Sequence, residues 1–255
     1  MFSVSNINYG VNDHKILDNI NITFLPHKVT TLLGHNGCGK STLVKLLSRQ
    51  ITAEGGEITL DGKPLQHYSQ NELAKKVAYL PQHPPATDGV TVRELVQFGR
   101  YPWRGPLAKY TDDDKKIVDS AIRKVDLEHL SERFVATLSG GERQRAWVAM
   151  LLAQQTQVIL LDEPISALDV AHQFELVQLI SRLNKELNLT VIMVLHDINL
   201  ASRFSDQIIA LHSGKLIIQD TPENVLNTAS LKQIYGIELG LITPANAEKP
   251  ITYLL

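Results

Sequence analysis

Cysteine is almost missing from this 255-residue chain: Cys38 stands alone. A single thiol excludes an intrachain disulfide, and nothing in the cysteine usage points to an oxidising compartment. Long apolar runs are missing too. The longest purely apolar stretch is Ala146–Ala153, far short of the roughly 20 residues that a bilayer-spanning helix needs. The start, Met1-Phe-Ser-Val-Ser-Asn6, lacks the basic n-region and apolar h-region of a secretory signal. A chain of cytosolic character is expected, with any membrane role supplied through a partner. Neither sign of charge dominates, since 25 Lys and Arg against 27 Asp and Glu leave a formal net charge of −2. Bulk charge gives no support to nucleic-acid binding or to an anionic membrane surface, and no nucleic-acid partner is expected. The nine histidines are scattered and form no metal-ligand spacing. There are no tandem repeats, coiled-coil heptads or low-complexity linkers. What is left is an ordinary soluble composition, 44% hydrophobic and 20% charged. It suits one large α/β domain, or one with a smaller insert.

The hydrophobic pattern changes three times along the chain. Val4–Tyr9 and the run through Ile20, Ile22 and Phe24 alternate as strands do, and Val29–Leu33 is a short apolar strand ending at Gly34. Ser41 opens a helix with Leu43, Leu46 and Leu47 on one face, and Glu57–Leu60 with Asp61-Gly62 reads as a strand and hairpin turn. After the strand Val77–Leu80, the segment Pro81-Gln-His-Pro-Pro85 cannot be helical. Thr91 caps a helix reaching about Gly99, and Thr111 followed by three aspartates is a second helix start. Residues from about 85 to 137 thus read as a helical insert. Strands return at Val158–Leu161, Thr190–Leu195 and Gln207–Leu211. The helix after Leu168 carries Val170, Phe174, Val177, Ile180, Leu183 and Leu187 at helical spacing. His212–Lys215 is a turn between strands, and Asn227–Leu255 reads as a short tail.

Three segments carry chemistry. Gly34-His35-Asn36-Gly37-Cys38-Gly39-Lys40-Ser41 fits G-x-x-x-x-G-K-S, with a strand before it and a helix after it. Its glycines let backbone N–H groups wrap phosphates, Lys40 reaches the β and γ oxygens, Ser41 offers a hydroxyl to Mg²⁺, and Thr42 adds a phosphate contact. Cys38 reads as a small filler at a backbone bend, with no redox role. Val158–Leu161 runs into Asp162 and Glu163. Carboxylates at the C-terminal end of a buried parallel strand, beside a phosphate loop, suit metal coordination by Asp162 and water activation by Glu163. His196 ends another strand, and Gln82 lies in the loop before the insert. Position alone leaves each open between a structural or solvated side chain and a contributor at the phosphate edge. In the second case His196 senses the γ-phosphate and holds Glu163, and Gln82 reaches the metal or the attacking water. Tyr9 is equally open, as a core aromatic or as a stacking platform for adenine.

The third segment is Leu138-Ser139-Gly140-Gly141-Glu142-Arg-Gln-Arg145. It places a hydroxyl and bare backbone N–H groups at a helix start, where the dipole favours phosphate. Two phosphate-binding helix ends in one small chain pose a geometric question. If the Ser139 helix lies far from the chain's own phosphate loop, it caps a nucleotide held elsewhere. The natural solution is a twofold pair, each copy closing the other's site, with Asp169 at the seam.

Taken together these residues resemble the ATP-binding cassette ATPases, in order and over nearly the whole chain: Tyr9, 34–42, Gln82, 138–144, Asp162-Glu163, Asp169 and His196. The resemblance implies an α/β P-loop NTPase. Its RecA-like core and N-terminal antiparallel β subdomain would occupy about 1–84 and 155–226, with a helical subdomain at about 85–154 and a tail at 227–255. It implies ATP with Mg²⁺, hydrolysis with Glu163 as base, and metal contacts from Ser41, Gln82 and Asp162. Further segments resemble the iron–siderophore branch: Thr91–Val96, Phe98-Gly-Arg-Tyr-Pro-Trp-Arg-Gly105, Ser166–Gln173, Leu195–Asn199 and Ile234–Ile237. Gly99–Trp103 is most similar to ATPases of ferric hydroxamate (ferrichrome-type) importers. Such a machine has two ATPase copies, an integral-membrane permease and a periplasmic binding protein, with the ATPase peripheral on the cytoplasmic face of the inner membrane. Phe98–Trp103 would be its docking surface for the permease. One departure is Ile165, where the family usually has threonine.

Related importers for catecholate siderophores, haem or cobalamin remain alternatives, as does a soluble cofactor-assembly ATPase. DNA-repair relatives insert long coiled coils, and ribosome-associated ones usually carry two cassettes; this chain has neither. A non-hydrolysing binding module conflicts with the intact Glu163.

Overall fold

The computed structural model describes residues 1–12, 14–104, 109–244 and 249–255; Gly105, quoted above, lies outside them. The first strands, β1 (Phe2–Val11) and β2 (His14–Thr23), pair antiparallel. β3 (Val29–Leu33) is buried at every position and leads through the glycine-rich loop into α1 (Lys40–Leu47). β4 (Gly55–Leu60) and β5 (Lys63–Pro64) join through Asp61-Gly62, both at positive φ, the two-residue hairpin geometry that this pair favours. A short α2 (Gln70–Ala74) precedes β6 (Val77–Leu80).

Four helices follow: α3 (Val92–Phe98), α4 (Tyr101–Arg104), α5 (Asp112–Lys124) and α6 (Gly140–Ala153). Three start on reciprocal caps, Thr91 with Glu94, Thr111 with Asp114, and Ser139 with Glu142. Each such cap contributes about 1 kcal/mol. The chain then alternates through β7 (Val158–Leu161), α7 (Val170–Leu187), β8 (Thr190–Val194), α8 (Ile198–Phe204), β9 (Gln207–His212) and β10 (Lys215–Asp220). It closes with α9 (Pro222–Val225), α10 (Thr228–Tyr235) and the hairpin β11 (Leu239–Ile242) and β12 (Ile251–Leu254).

The central sheet has the order β10-β9-β3-β8-β7-β6 and is parallel except for β10. Because side chains alternate across a strand, each central strand feeds two cores. Leu33, Ile159, Leu161, Val191 and Met193 face a core shared with α3, α5, α6 and α7. Leu32, Val158, Leu160, Ile192 and Val194 face a second core, built with α1 and the antiparallel sheet β2-β1-β4-β5. The inserted helices have no separate core: Leu95, Val118 and Trp147 belong to the same cluster as Ile159 and Val191.

Two expectations change. The α7 stripe is narrower than its spacing suggested. Val177, Ile180 and Leu183 are buried, but Val170 is 83% exposed and Leu187 is 37% exposed. The helix extends past the core at both ends, so periodicity there marks no partner within the chain. The tail is also more than a tail: α10 sends Leu231 and Ile234 into the larger core, and β11 adds Leu239.

Parallel strands in this order bring four chain segments to one sheet edge, the C-terminal ends of β3, β8, β7 and β6. Register fixes who meets whom. Leu80 pairs with Leu161, so Gln82 and Glu163, each two residues on, face one another.

Candidate functional site

The glycine-rich loop is shaped by steric necessity at two of its glycines. Gly34 has φ of 142°, and a Cβ there would lie 2.1 Å from the Leu211 carbonyl oxygen. Gly39 has φ of 102°, and its Cβ would lie 2.5 Å from the Leu17 side chain. Only glycine satisfies both demands. Lys40 is buried, and its ammonium donates to the carbonyls of Gly34 at 2.8 Å and His35 at 3.0 Å. Cys38 is fully buried beneath the loop. Burial pushes its thiol above the usual range, against the nearby Lys40 charge, so it stays protonated as a filler.

Ser41 donates to Asp162 Oδ1 at 2.8 Å. Asp162 is 1% exposed, and burial raises its carboxyl above the ordinary range, only partly offset by the Ser41 hydrogen bond. Next to it, Glu163 takes φ of 50°, a left-handed conformation that is uncommon for a non-glycine residue. Strain of this kind concentrates at functional sites. The turn aims the carboxylate at two partners. Gln82 Nε2 donates to Glu163 Oε2 at 2.7 Å, and His196 Nε2 lies 2.9 Å from Glu163 Oε1.

These groups share a cavity of about 480 Å³, lined by Asn36, Gly37, Gly39, Lys40, Ser41, Thr42, Gln82, Glu163 and His196, with His14 and Ile16 at the remaining wall. The phosphate loop, the carboxylate pair, Gln82 and His196 are therefore brought together.

The second anion segment is elsewhere. No residue of Leu138–Arg145 lines the cavity. Ser139 and Gly140 are exposed, and the Ser139 hydroxyl is part of the cap with Glu142. The Ser139 backbone N–H and hydroxyl hold the Glu142 carboxyl below its usual range. Gly141 has a use that the anion reading missed. It is buried, and a Cβ there would come within 2.8 Å of His172. His172 in turn pairs with Asp169, the N-cap of α7, at 2.8 Å. Hydrogen bonds from His172 keep the Asp169 carboxyl below its ordinary range. The segment is joined to the end of β7 as well, since Gln144 donates to the Pro164 carbonyl next to Glu163.

Residues 17–166 match the ABC transporter family. The chain is 42% identical to the iron(3+)-hydroxamate import ATP-binding protein FhuC of Bacillus subtilis, over 98% of this chain and 93% of that one. It is 44% identical to the petrobactin import ATP-binding protein FpuC of Bacillus anthracis, over 98% and 91%. A solved dimeric structure of a bacterial ABC transporter cassette superposes with a TM-score of 0.75 at 28% identity, covering 87% of this chain and 99% of that one. The chain belongs to the ABC transporter family, among its ATP-hydrolysing subunits.

Within this ABC ATPase two residues, Tyr9 and Ile165, and the Phe98–Trp103 segment depart from simple expectation. Tyr9 does not line the cavity; it is half-buried against the second core and pairs with Leu17 across the hairpin. His14 and Ile16, on the facing strand, occupy the cavity wall instead. Neither is aromatic enough in type to stand out as a stacking platform, but the hairpin register from Tyr9 leads to that stretch. Ile165 is 7% exposed and packs in the larger core, which accounts for an apolar side chain where the family usually has a hydroxyl. The Phe98–Trp103 segment divides in two. Gly99 and Arg100 are structural. A Cβ on Gly99 would lie 2.2 Å from the Met150 carbonyl oxygen, and buried Arg100 pairs with buried Asp114 at 2.9 Å. Phe98 and Tyr101 are 58% and 60% exposed. Among the described residues no helix is long and apolar enough to cross a membrane.

Proposed function

We propose that this ABC ATPase energises import of an iron(III)–siderophore of the hydroxamate type. The observation that carries the reading is the 480 Å³ cavity joining a phosphate loop to the Gln82–Glu163–His196 cluster. Lys40 and the loop N–H groups bind the β and γ phosphates of ATP. Glu163 accepts the proton of the attacking water, with Gln82 and His196 fixing one carboxylate oxygen each. Ser41 and Asp162 form a pair of hard oxygen donors that fits Mg²⁺, and a buried carboxylate with a raised pKa gains most from a cation. Gln82 is the third candidate ligand through its amide oxygen. Bound Mg²⁺ would neutralise charge on the β and γ phosphates. Tyr9 belongs to the adenine end of the site through the hairpin that also carries His14 and Ile16.

The second half of each site comes from another copy of the chain. Ser139, Gly140 and Gly141 close the partner's nucleotide, and Asp169 organises the seam. Exposure of Ser139, their distance from the cavity lining and the bare apolar side chain of Val170 support this. Phe98 and Tyr101 dock an integral-membrane permease, which places the ATPase on the cytoplasmic face of the inner membrane and connects it to a cargo-binding protein outside. The division into about 1–84 with 155–226, 85–154 and 227–255 belongs to the same reading.

Cargo is the finest part of the proposal. The relatives named for hydroxamate and for petrobactin differ from each other in identity to this chain by little, at 42% and 44%. Selection is assigned to the permease and binding protein, because this chain itself meets only ATP and its partners. Co-purification with the permease, followed by ATPase assays with a binding protein loaded with ferrichrome, a catecholate, haem or cobalamin, tests it. Stimulation by ferrichrome is expected. Stimulation by another cargo alone reassigns the substrate, and failure to associate with any permease favours the soluble alternative.

A further inference from the structure

His196 lies two residues past the end of β8. The last ladder bond before it runs from the Leu195 N–H to the Leu32 carbonyl at 3.3 Å. Beyond it the chain enters α8 through Asp197, which caps Asn199 and Leu200. His196 is 44% exposed at its side chain, so packing alone does not fix the ring. The remaining support comes from residues far along the chain. Tyr235, at the end of α10, donates its hydroxyl to the His196 carbonyl at 3.4 Å. Asn199 pairs with Thr252 of β12. Its Oδ1 accepts from the Thr252 N–H at 2.8 Å and from the Thr252 hydroxyl at 3.2 Å, and its Nδ2 donates to the Thr252 carbonyl at 3.3 Å. Lys249 donates to the Ser202 carbonyl at 2.9 Å. Residues 196–202 are thus held at three points by the C-terminal segment, which itself is anchored by Leu231, Ile234 and Leu239 in the larger core.

We infer that Tyr235, Lys249 and Thr252 act as a bracket setting the position of His196 against Glu163, with Tyr235, Asn199 and Thr252 as positioning residues. None of these three touches the nucleotide cavity. The inference rests on the proposal that His196 and Glu163 serve ATP hydrolysis. The bracket acts on the hydrolytic step and leaves nucleotide capture by 34–42 alone, because the phosphate loop is fixed independently by β3 and α1. Burial, with the Asp197 charge second, keeps the Tyr235 phenol well above its usual range, so it remains a donor throughout the working pH range.

A double-mutant cycle on the full chain tests this. Tyr235→Phe and Asn199→Ala are each measured alone and in a His196→Ala background, for kcat, KM and ATP affinity. Each single change is expected to lower kcat about three- to tenfold, the worth of one positioning hydrogen bond, with ATP affinity within about twofold. In the His196→Ala background neither change should lower kcat further. Asn199→Asp, which keeps the acceptor for Thr252, should recover much of the loss caused by Asn199→Ala. Full additivity in the His196→Ala background overturns the bracket, as does a loss confined to KM. If His196→Ala itself leaves kcat unchanged, the assignment of the hydrolysis site fails instead. Tyr235→Phe keeps the buried ring, so the cycle stays readable even if Asn199→Ala does not fold.

Discussion

Two glycine-bearing helix starts in this chain look alike in sequence and differ in structure. At Gly34 and Gly39 the backbone takes positive φ and a Cβ would strike the Leu211 carbonyl or Leu17. The loop is therefore held at both ends by its own chain and already joined to Asp162 through Ser41. At Gly140 and Gly141 the backbone is ordinary helix, and the limit is a close approach to Leu168 and His172. That helix start is exposed at Ser139 and Gly140 and does not line the phosphate-loop cavity. One region lines a cavity within the chain, and the other faces outward. Under the proposed pairing, a phosphate contact from that outward surface would be made to a nucleotide held by a second copy.

The largest effect that separates the two regions is expected at the finished one. Glu163→Gln should slow hydrolysis about 10²–10⁴-fold while ATP still binds; steady-state turnover and equilibrium binding check it. Lys40→Ala should weaken ATP binding about 10–100-fold, the worth of a charge-assisted contact; unchanged affinity by calorimetry would contradict the phosphate-loop assignment. Gly141→Ala sharpens the contrast. It should push His172 away from Asp169 and weaken ATP-driven association about tenfold, with ATP affinity of the single chain within about twofold; sedimentation at several concentrations reads it. The smallest effects are expected on the helical insert. Phe98→Ala and Tyr101→Ala should lower transport yet leave basal ATPase unchanged, and change stability by less than about 0.5 kcal/mol because both side chains are already exposed. Equal damage to transport and ATPase would return that segment to core packing.

Much of this arrangement is legible in the sequence because it follows from local rules. The strands at 29–33, 158–161 and 190–194 are short apolar-rich runs interrupted only by Thr30, Thr31 and Thr190, and Thr91, Thr111 and Ser139 carry their caps in plain sight. The Asp61-Gly62 and Ser213-Gly214 turns follow from residue types that tolerate positive φ. What the sequence hides is register and long-range packing. That Gln82 faces Glu163 depends on the pairing of Leu80 with Leu161. That Gly141 is small because of His172, and that Tyr235 and Thr252 reach the α8 region, depends on contacts between elements far apart in the chain. The Tyr9 reading rests on residue type alone, and register adds its neighbours: His14 and Ile16, on the strand opposite, are the hairpin residues that line the cavity.

The most direct test of the shared site is the solution mass of the Glu163→Gln chain at saturating MgATP, measured by light scattering beside the same chain carrying Ser139→Arg. A mass twice that of the chain for Glu163→Gln, falling to the single-chain mass when Ser139→Arg is added with ATP still bound, is expected. A single-chain mass for Glu163→Gln at saturating MgATP, or a dimer indifferent to Ser139→Arg, would contradict a nucleotide closed by the second copy.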